Sequence, residues 1–227
     1  SLYYAFKALD ADFPIDYLVF SSGAGVFDWR HKKILRTLHL NRSQVSGVQS
    51  FLHQKGLGYT LHRYIPDNHC FWYKEGNVFH PDLNRFVQNR IDFATPIERL
   101  GDTEDAFCQI LTILDEPLEA SHFFDHLDGV KVIRATSPID GKSIWIEIFH
   151  QHASKASGIQ MVCNLEQVCH EGVWVLGNDY NDLDMLNHFH LHAYVVANAP
   201  DPLKQKFRIV PSVNEAGMSI LAGSMLI

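Results

Sequence analysis

The sequence predicts an α/β fold in which a parallel-sheet core is interrupted by an inserted α+β domain. Three observations carry that expectation. Helix and strand signals alternate from Ser154 to Val210, short β-rich runs crowd residues 57–149, and a strand at Tyr17–Phe20 runs into the small-residue stretch Ser21-Ser-Gly-Ala-Gly25. Alternating helices and strands signal a parallel sheet, whereas clustered short strands broken by turns signal an α+β unit. The boundaries that follow are 1–41 for the first part of the core, 42–143 for the insert and 144–227 for the second part of the core.

The elements follow in order. Leu2, Ala5, Phe6 and Leu9 share one helical face, and Asp10–Pro14 is turn-like ahead of the Tyr17–Phe20 strand. Small residues after that strand let the backbone turn sharply, as a ligand-facing loop at a strand's carboxyl end requires. Ser43 is a candidate cap for a helix carrying Val45, Val48, Phe51 and Leu52, which Gly56 ends. Strands are expected within the insert at Tyr59–Ile65, Cys70–Tyr73, Cys108–Leu114 and Val130–Ile133, with another at Ile144–Phe149. Ser154 caps a helix bearing Ile159, Val162, Leu165 and Val168, and Val173–Leu176 follows as a buried strand. A helix with Leu183, Leu186 and Phe189 and strands at Tyr194–Ala197 and Phe207–Val210 complete the pattern.

Composition narrows the partners. At 227 residues the chain is long enough to bury a core without staples, and no apolar run approaches the roughly 18 residues that a membrane helix needs. A net charge of −7 with no basic stripe argues against nucleic acid. The four cysteines form no CxxC pair, which fits a reducing, cytoplasmic setting. Ser1 opens no secretory signal but a helix already under way, so the chain is expected to start in mid-domain. The oligomeric state is left open.

Chemistry concentrates in Gly177-Asn-Asp-Tyr-Asn-Asp182, between an apolar strand and a helix. Ligands of open α/β sheets sit at the carboxyl ends of strands, and clustered oxygen donors there suit a hard cation such as Mg²⁺. An Asx-rich turn that merely caps the helix is the plainer alternative. Lys155 adds weight. It follows an apolar strand, the loop Gln151–Ser154 and a capping serine, so its ammonium meets the same sheet edge provided the two strands are neighbours, where it neutralises a phosphoryl group.

On these residues the chain resembles the haloacid dehalogenase superfamily, in the Cof-type branch with a C2B cap. Ser154-Lys-Ala-Ser-Gly158 resembles the family's third motif, Gly177-Asn-Asp-Tyr-Asn-Asp-Leu-Asp-Met-Leu186 its fourth, and Ser22-Gly-Ala24 its Asn-Gly-Ala turn before the cap. Ala197-Asn-Ala-Pro200 and Val213-Asn-Glu-Ala-Gly-Met-Ser-Ile220 resemble its closing segments. The resemblance implies a HAD-like Rossmannoid sheet and a Mg²⁺-dependent phosphohydrolase that passes through an aspartyl-phosphate, with a small phosphorylated metabolite such as a sugar phosphate as substrate. It implies Lys155 as the phosphate-stabilising residue, Asp182 with Asp179 or Asn178 as metal contacts, and Asn181, Asn198, Ser22 and Gly23 as substrate-binding positions. In the cap, His62, Arg63, His69 and Trp72, with Asn68, are candidates for a sugar-phosphate pocket or ordinary strand residues.

Two departures stand out. Asn178 occupies the place of the family's aspartate after Gly177, which weakens a dication contact by one negative charge. The first motif, Asp-x-Asp-Gly-Thr, and the serine or threonine of the second are absent from the 227 residues, so this chain alone is expected to be inactive. Asp10-Ala-Asp12 has the spacing but follows a helix and lacks Gly-Thr, and Asp125-His-Leu-Asp-Gly129 is better explained as a turn. The alternative to an enzyme is a noncatalytic phosphate-ligand binding or regulatory protein; phosphoryl transfer between substrates would use the same metal site as hydrolysis. The run His188-Phe-His-Leu-His192 spans a helix end and a strand start, which favours a solvated terminus over a metal site.

Overall fold

The computed structural model describes residues 1–10, 12–77, 80–101, 104–114 and 127–224. Of the decoy at Asp125–Gly129, Asp125 and His126 lie outside them, as does Ala11 of Asp10-Ala-Asp12. The chain divides into two compact units, Ser1–Ala153 and Ser154–Ile227.

The first unit opens with helix α1 (Leu2–Ala8) and an antiparallel meander of β1 (Tyr17–Phe20), β2 (Gly25–Asp28) and β3 (Lys33–Thr37). The strand after α1 was expected to belong with the core strands, yet the short link 21–24 folds it straight back on β2. Ser21 and Ser22 take left-handed backbone at φ +49° and +50°, Gly23 continues at +90°, and the Ala24 amide donates to the Ser21 carbonyl at 2.8 Å. A chain reversed in four residues makes an antiparallel hairpin, not a parallel crossover.

After the short strand β4 (Leu40–Asn41) comes helix α2 (Arg42–Gln54). Its cap is Asn41 rather than Ser43: Asn41 Oδ1 accepts the Gln44 amide and Gln44 Oε1 accepts the Asn41 amide, both at 2.9 Å, a reciprocal box that satisfies two orphan donors. Then follow β5 (Tyr59–Arg63), β6 (Phe71–Lys74), α3 (Pro81–Gln88), β7 (Ala94–Pro96), β8 (Ala106–Leu114), β9 (Val130–Thr136) and β10 (Ile144–His150). They build one seven-stranded sheet in the order β7-β6-β5-β8-β10-β9, with β4 also on β8; only β6 and β7 pair in parallel. Side-chain alternation assigns its faces. Ile144, Ile146 and Ile148 pack with Val45, Val48 and Leu52 of α2, whereas Trp145 packs with Leu83, Phe86 and Val87 of α3 and donates its indole N–H to buried Asp82 at 2.7 Å.

The second unit alternates as expected: α4 (Lys155–Glu166), β11 (Val175–Gly177), α5 (Leu183–His188), β12 (Ala193–Val196), α6 (Asp201–Lys204), β13 (Arg208–Val210) and α7 (Gly217–Ser224). Its sheet is parallel in the order β11-β12-β13, and Val175, Val195, Val196 and Val210 pack with Ala156, Met185, Leu186, Phe189 and Leu203. Ser154 caps α4 as its sequence position predicts, accepting the Ser157 amide at 3.1 Å.

The strand Ile144–His150 was expected to open the second core segment. It is hydrogen-bonded on one side to β8 and on the other to β9, inside the seven-stranded sheet. Ile146→Ala, at a fully buried position between those neighbours, is therefore expected to cost about 2–5 kcal/mol in chemical denaturation of the first unit; a loss under about 1 kcal/mol contradicts the central placement of β10.

Candidate active site

β11 ends at Gly177, and the chain then turns through Asn178–Asp182 into α5. The turn is shaped by Asp182, only 4% exposed. Its Oδ2 accepts the amides of Asn178 at 2.8 Å and Asp179 at 3.3 Å, and its Oδ1 accepts the ammonium of Lys155 at 2.5 Å. Gly177 permits this closure by its size: a Cβ there would stand 2.8 Å from Asp182 Cβ and 2.9 Å from Leu186 Cδ1.

Lys155 is the first residue of α4, a position where the helix dipole disfavours a cation, and Asp182 supplies the compensating charge. It does not arrive through a neighbouring parallel strand, because β10 lies in the other sheet. Packing of α4 on α5, with Ala156 and Ile159 against Met185 and Leu186, brings it to the loop. With its side chain 27% exposed, the ammonium keeps access to solvent beside the helix N-terminus. Asn181 is half-buried in the same loop, and Asn198 is exposed in the turn after β12. Since Gly177 pairs in parallel with Val195, both turns leave the same sheet edge. The second unit thus gathers Lys155, Asn178, Asp179, Asp182, Asn181 and Asn198 around one end of its sheet.

The donor set does not fit Mg²⁺ on its own. Both oxygens of Asp182 are committed to an ammonium and two amides, Asn178 brings no charge, and no group of three His, Cys, Asp or Glu side chains suited to a metal occurs among the described residues.

The remaining candidates lie in the first unit. Ser22 donates its hydroxyl to Glu147 at 3.2 Å, and the Gly23 carbonyl accepts from Arg36. Asn68 donates to the Ser21 hydroxyl at 2.8 Å. Sequence reasoning missed Glu147 and Arg36 as supports of this turn; the signal for Glu147 was its place as the one charged residue in the apolar strand Ile144–His150.

Of the cap candidates, His62 is buried and internally satisfied. Its Nδ1 lies 3.0 Å from the Asn68 carbonyl and its Nε2 3.0 Å from the Thr60 hydroxyl. A carbonyl only accepts, so Nδ1 carries the proton and Nε2 accepts from Thr60, which makes this ring a core tie and not a substrate contact. His69 stacks on Tyr3 with ring centres 4.3 Å apart. Arg63 bonds Glu104 at 2.8 Å and lies over the buried Trp72 ring. Arg63 and Trp72 do line one cavity of about 180 Å³, with Cys70, Phe71, Asp92, Phe93 and Thr95. In the histidine run, His188 lies 3.3 Å from Gln160, whereas His192 stacks on Trp174.

The sequence model of the haloacid dehalogenase-like hydrolases matches residues 2–220. The chain belongs to that family. A Haemophilus influenzae protein named as a candidate phosphatase is 32% identical over 78 residues; the alignment spans 34% of this chain and only 29% of that relative. The fold is similar to that of a phosphatase of the haloalkanoate (HAD) superfamily from Bacteroides thetaiotaomicron, with a TM-score of 0.72 at 16% identity over 95% of this chain and 76% of that one. A HAD subclass IIB sugar phosphatase gives 0.69 at 16% identity over 93% and 76%, and a haloacid dehalogenase-like hydrolase from B. subtilis gives 0.70 at 13% identity over 95% and 81%. At these identities the likeness speaks for the α/β fold.

Burial pushes the His62 pKa down to about 4, so the folded protein holds the ring neutral while the unfolded chain protonates it below about pH 6.5. A depressed folded pKa means that the stability from neutral His62 is complete above about pH 6.5 and declines as the pH falls towards 4. Wild type is expected to lose about 2–3 kcal/mol more than His62→Gln between neutral pH and pH 4 in denaturant titrations. Parallel pH profiles of the two proteins contradict the neutral buried ring.

Proposed function

We propose that the protein carrying this chain is a Mg²⁺-dependent phosphohydrolase acting on a small phosphorylated metabolite such as a sugar phosphate. The reaction runs through an aspartyl-phosphate whose aspartate lies outside these 227 residues. The observation that carries this reading is Lys155: an ammonium beside a helix N-terminus, held at the end of a parallel sheet by a buried carboxylate 2.5 Å away. Such a group stabilises the charge that develops on phosphoryl oxygens. Membership of a hydrolase family and likeness in fold to a sugar phosphatase support the substrate class.

Mg²⁺ enters this reading through the family, and when bound it neutralises phosphoryl charge as a Lewis acid. Of the loop's own oxygens, those of Asp179 and Asn178 are the candidates to face it. Residues 42–143 act as the substrate-selecting cap, with Ile144–His150 completing its sheet. A cytoplasmic setting goes with this reading, since all four cysteines are free thiols.

The test compares this chain with a form extended upstream on a panel of sugar phosphates with Mg²⁺. Turnover is expected in the extended form alone, and Lys155→Ala in that form is expected to lower kcat by about 10²–10³-fold. Absence of turnover in the extended form contradicts the enzyme reading. If that form nonetheless binds phosphate esters, the noncatalytic phosphate-binding alternative takes its place, an outcome that the neutral Asn178 in the metal loop would suit.

A further inference from the structure

In chain order the seven-stranded sheet begins at β4 and ends at β10, and a histidine stands at each end. Half-buried His39 immediately precedes Leu40; half-buried His150 closes β10, and exposed His152 follows in the turn. His39 Nε2 accepts the Ile65 amide at 3.0 Å, and His150 Nδ1 accepts the His152 amide at 3.3 Å. These bonds fix both tautomers. A ring nitrogen that accepts an amide proton carries none of its own, so neutral His39 holds its proton on Nδ1 and neutral His150 on Nε2. A protonated ring has donors only, and no rotation of the imidazolium restores an acceptor. The neighbours add to this. His39 meets the Tyr64 ring, 6.3 Å between centres, and feels the charge of His150; His150 stands 5.3 Å from the His152 ring, and apolar Val130 is its partner on β9. Burial first, and then the charge of the neighbouring histidine, holds both the His39 and the His150 pKa below the ordinary value of about 6.5.

We propose that His39 and His150 form a proton-sensitive latch at the two ends of this sheet. While neutral, each ring ties down a backbone amide, and the His39 tie joins the segment ahead of β4 to Ile65, beyond β5. Once protonated, both ties open and two like charges oppose each other. Ile65 is buried, so its released amide is a donor without an acceptor until the turn opens to water. Because folding favours the neutral rings, the stability that these ties contribute is complete above about pH 6.5 and declines as the pH falls through the lowered folded pKa values. The first proton on the pair opposes the second, which spreads the opening over a broad range of pH. The latch uses no residue of the second unit and stands apart from the phosphatase reading.

Amide hydrogen exchange followed by NMR on the wild-type chain, expressed as protection relative to free-peptide rates at each pH, reads the latch directly. Ile65 protection is expected to fall severalfold between about pH 7.5 and about pH 5, whereas the Leu38 amide, which donates to the Ala24 carbonyl at 2.8 Å, keeps its protection. His39→Gln, whose side-chain oxygen accepts without titrating, is expected to hold Ile65 protection level over the same range. Ring nitrogen shifts of the neutral wild type are expected to place the proton on Nδ1 of His39 and on Nε2 of His150. Constant Ile65 protection in the wild type, an equal loss at Leu38, or an equal fall in a folded His39→Gln overturns the proposal. So does a proton on Nε2 of neutral His39 or on Nδ1 of neutral His150.

Discussion

The candidate site depends on one buried carboxylate. Asp182 joins two helices and a strand end at a single point: Lys155 from α4, the amides of the loop leaving β11, and its own position at the start of α5. Removing one partner from such a centre leaves a buried charge without compensation, which is why a pair of this kind is costly to break even though making it contributes little net stability. Gly177 is bound to the same constraint, because any side chain there occupies the space of Asp182. This end of the second unit's sheet is thus an electrostatic arrangement resting on a steric permission.

The first unit solves a different problem. A seven-stranded, mostly antiparallel sheet has two faces to bury, and it does so by alternation, α2 on the side of Ile144, Ile146 and Ile148 and α3 on the side of Trp145. Polar groups inside it are tied in pairs. Trp145 answers Asp82, and Thr60, His62 and Asn68 form a chain that ends on the Ser21 hydroxyl at the left-handed turn. Burying these groups without such partners would cost more than their packing returns.

Much of this was legible in the residues. The alternation of helices and strands after Ser154 is local and periodic, and the structure places those elements within a residue or two of the expectation. Ser154 as a cap was visible because capping is decided within one turn; at α2 the expectation fell on Ser43, and the Asn41–Gln44 reciprocity makes Asn41 the cap instead. Pairing was harder to read. Nothing local in Ile144–His150 says which sheet will take it, because an apolar strand suits a parallel core and a central antiparallel position equally well. The same limit hid the reversal after Phe20, where left-handed serines, which their sequence does not announce, make a hairpin. At the site the residue types were evident but their commitments were not: His62 and Asp182 are polar residues whose partners lie far along the chain or on its backbone, and burial turned one into a core tie and the other into an anchor.

The central claim is that Lys155 is the group that meets phosphate. The most direct measurement is a titration of the folded protein with inorganic phosphate, followed on the side-chain amine signal of Lys155 by NMR. A saturable shift of that signal, with Lys142 unmoved, is the predicted result. Saturable phosphate binding that leaves Lys155 unmoved would place the anion elsewhere and contradict the account.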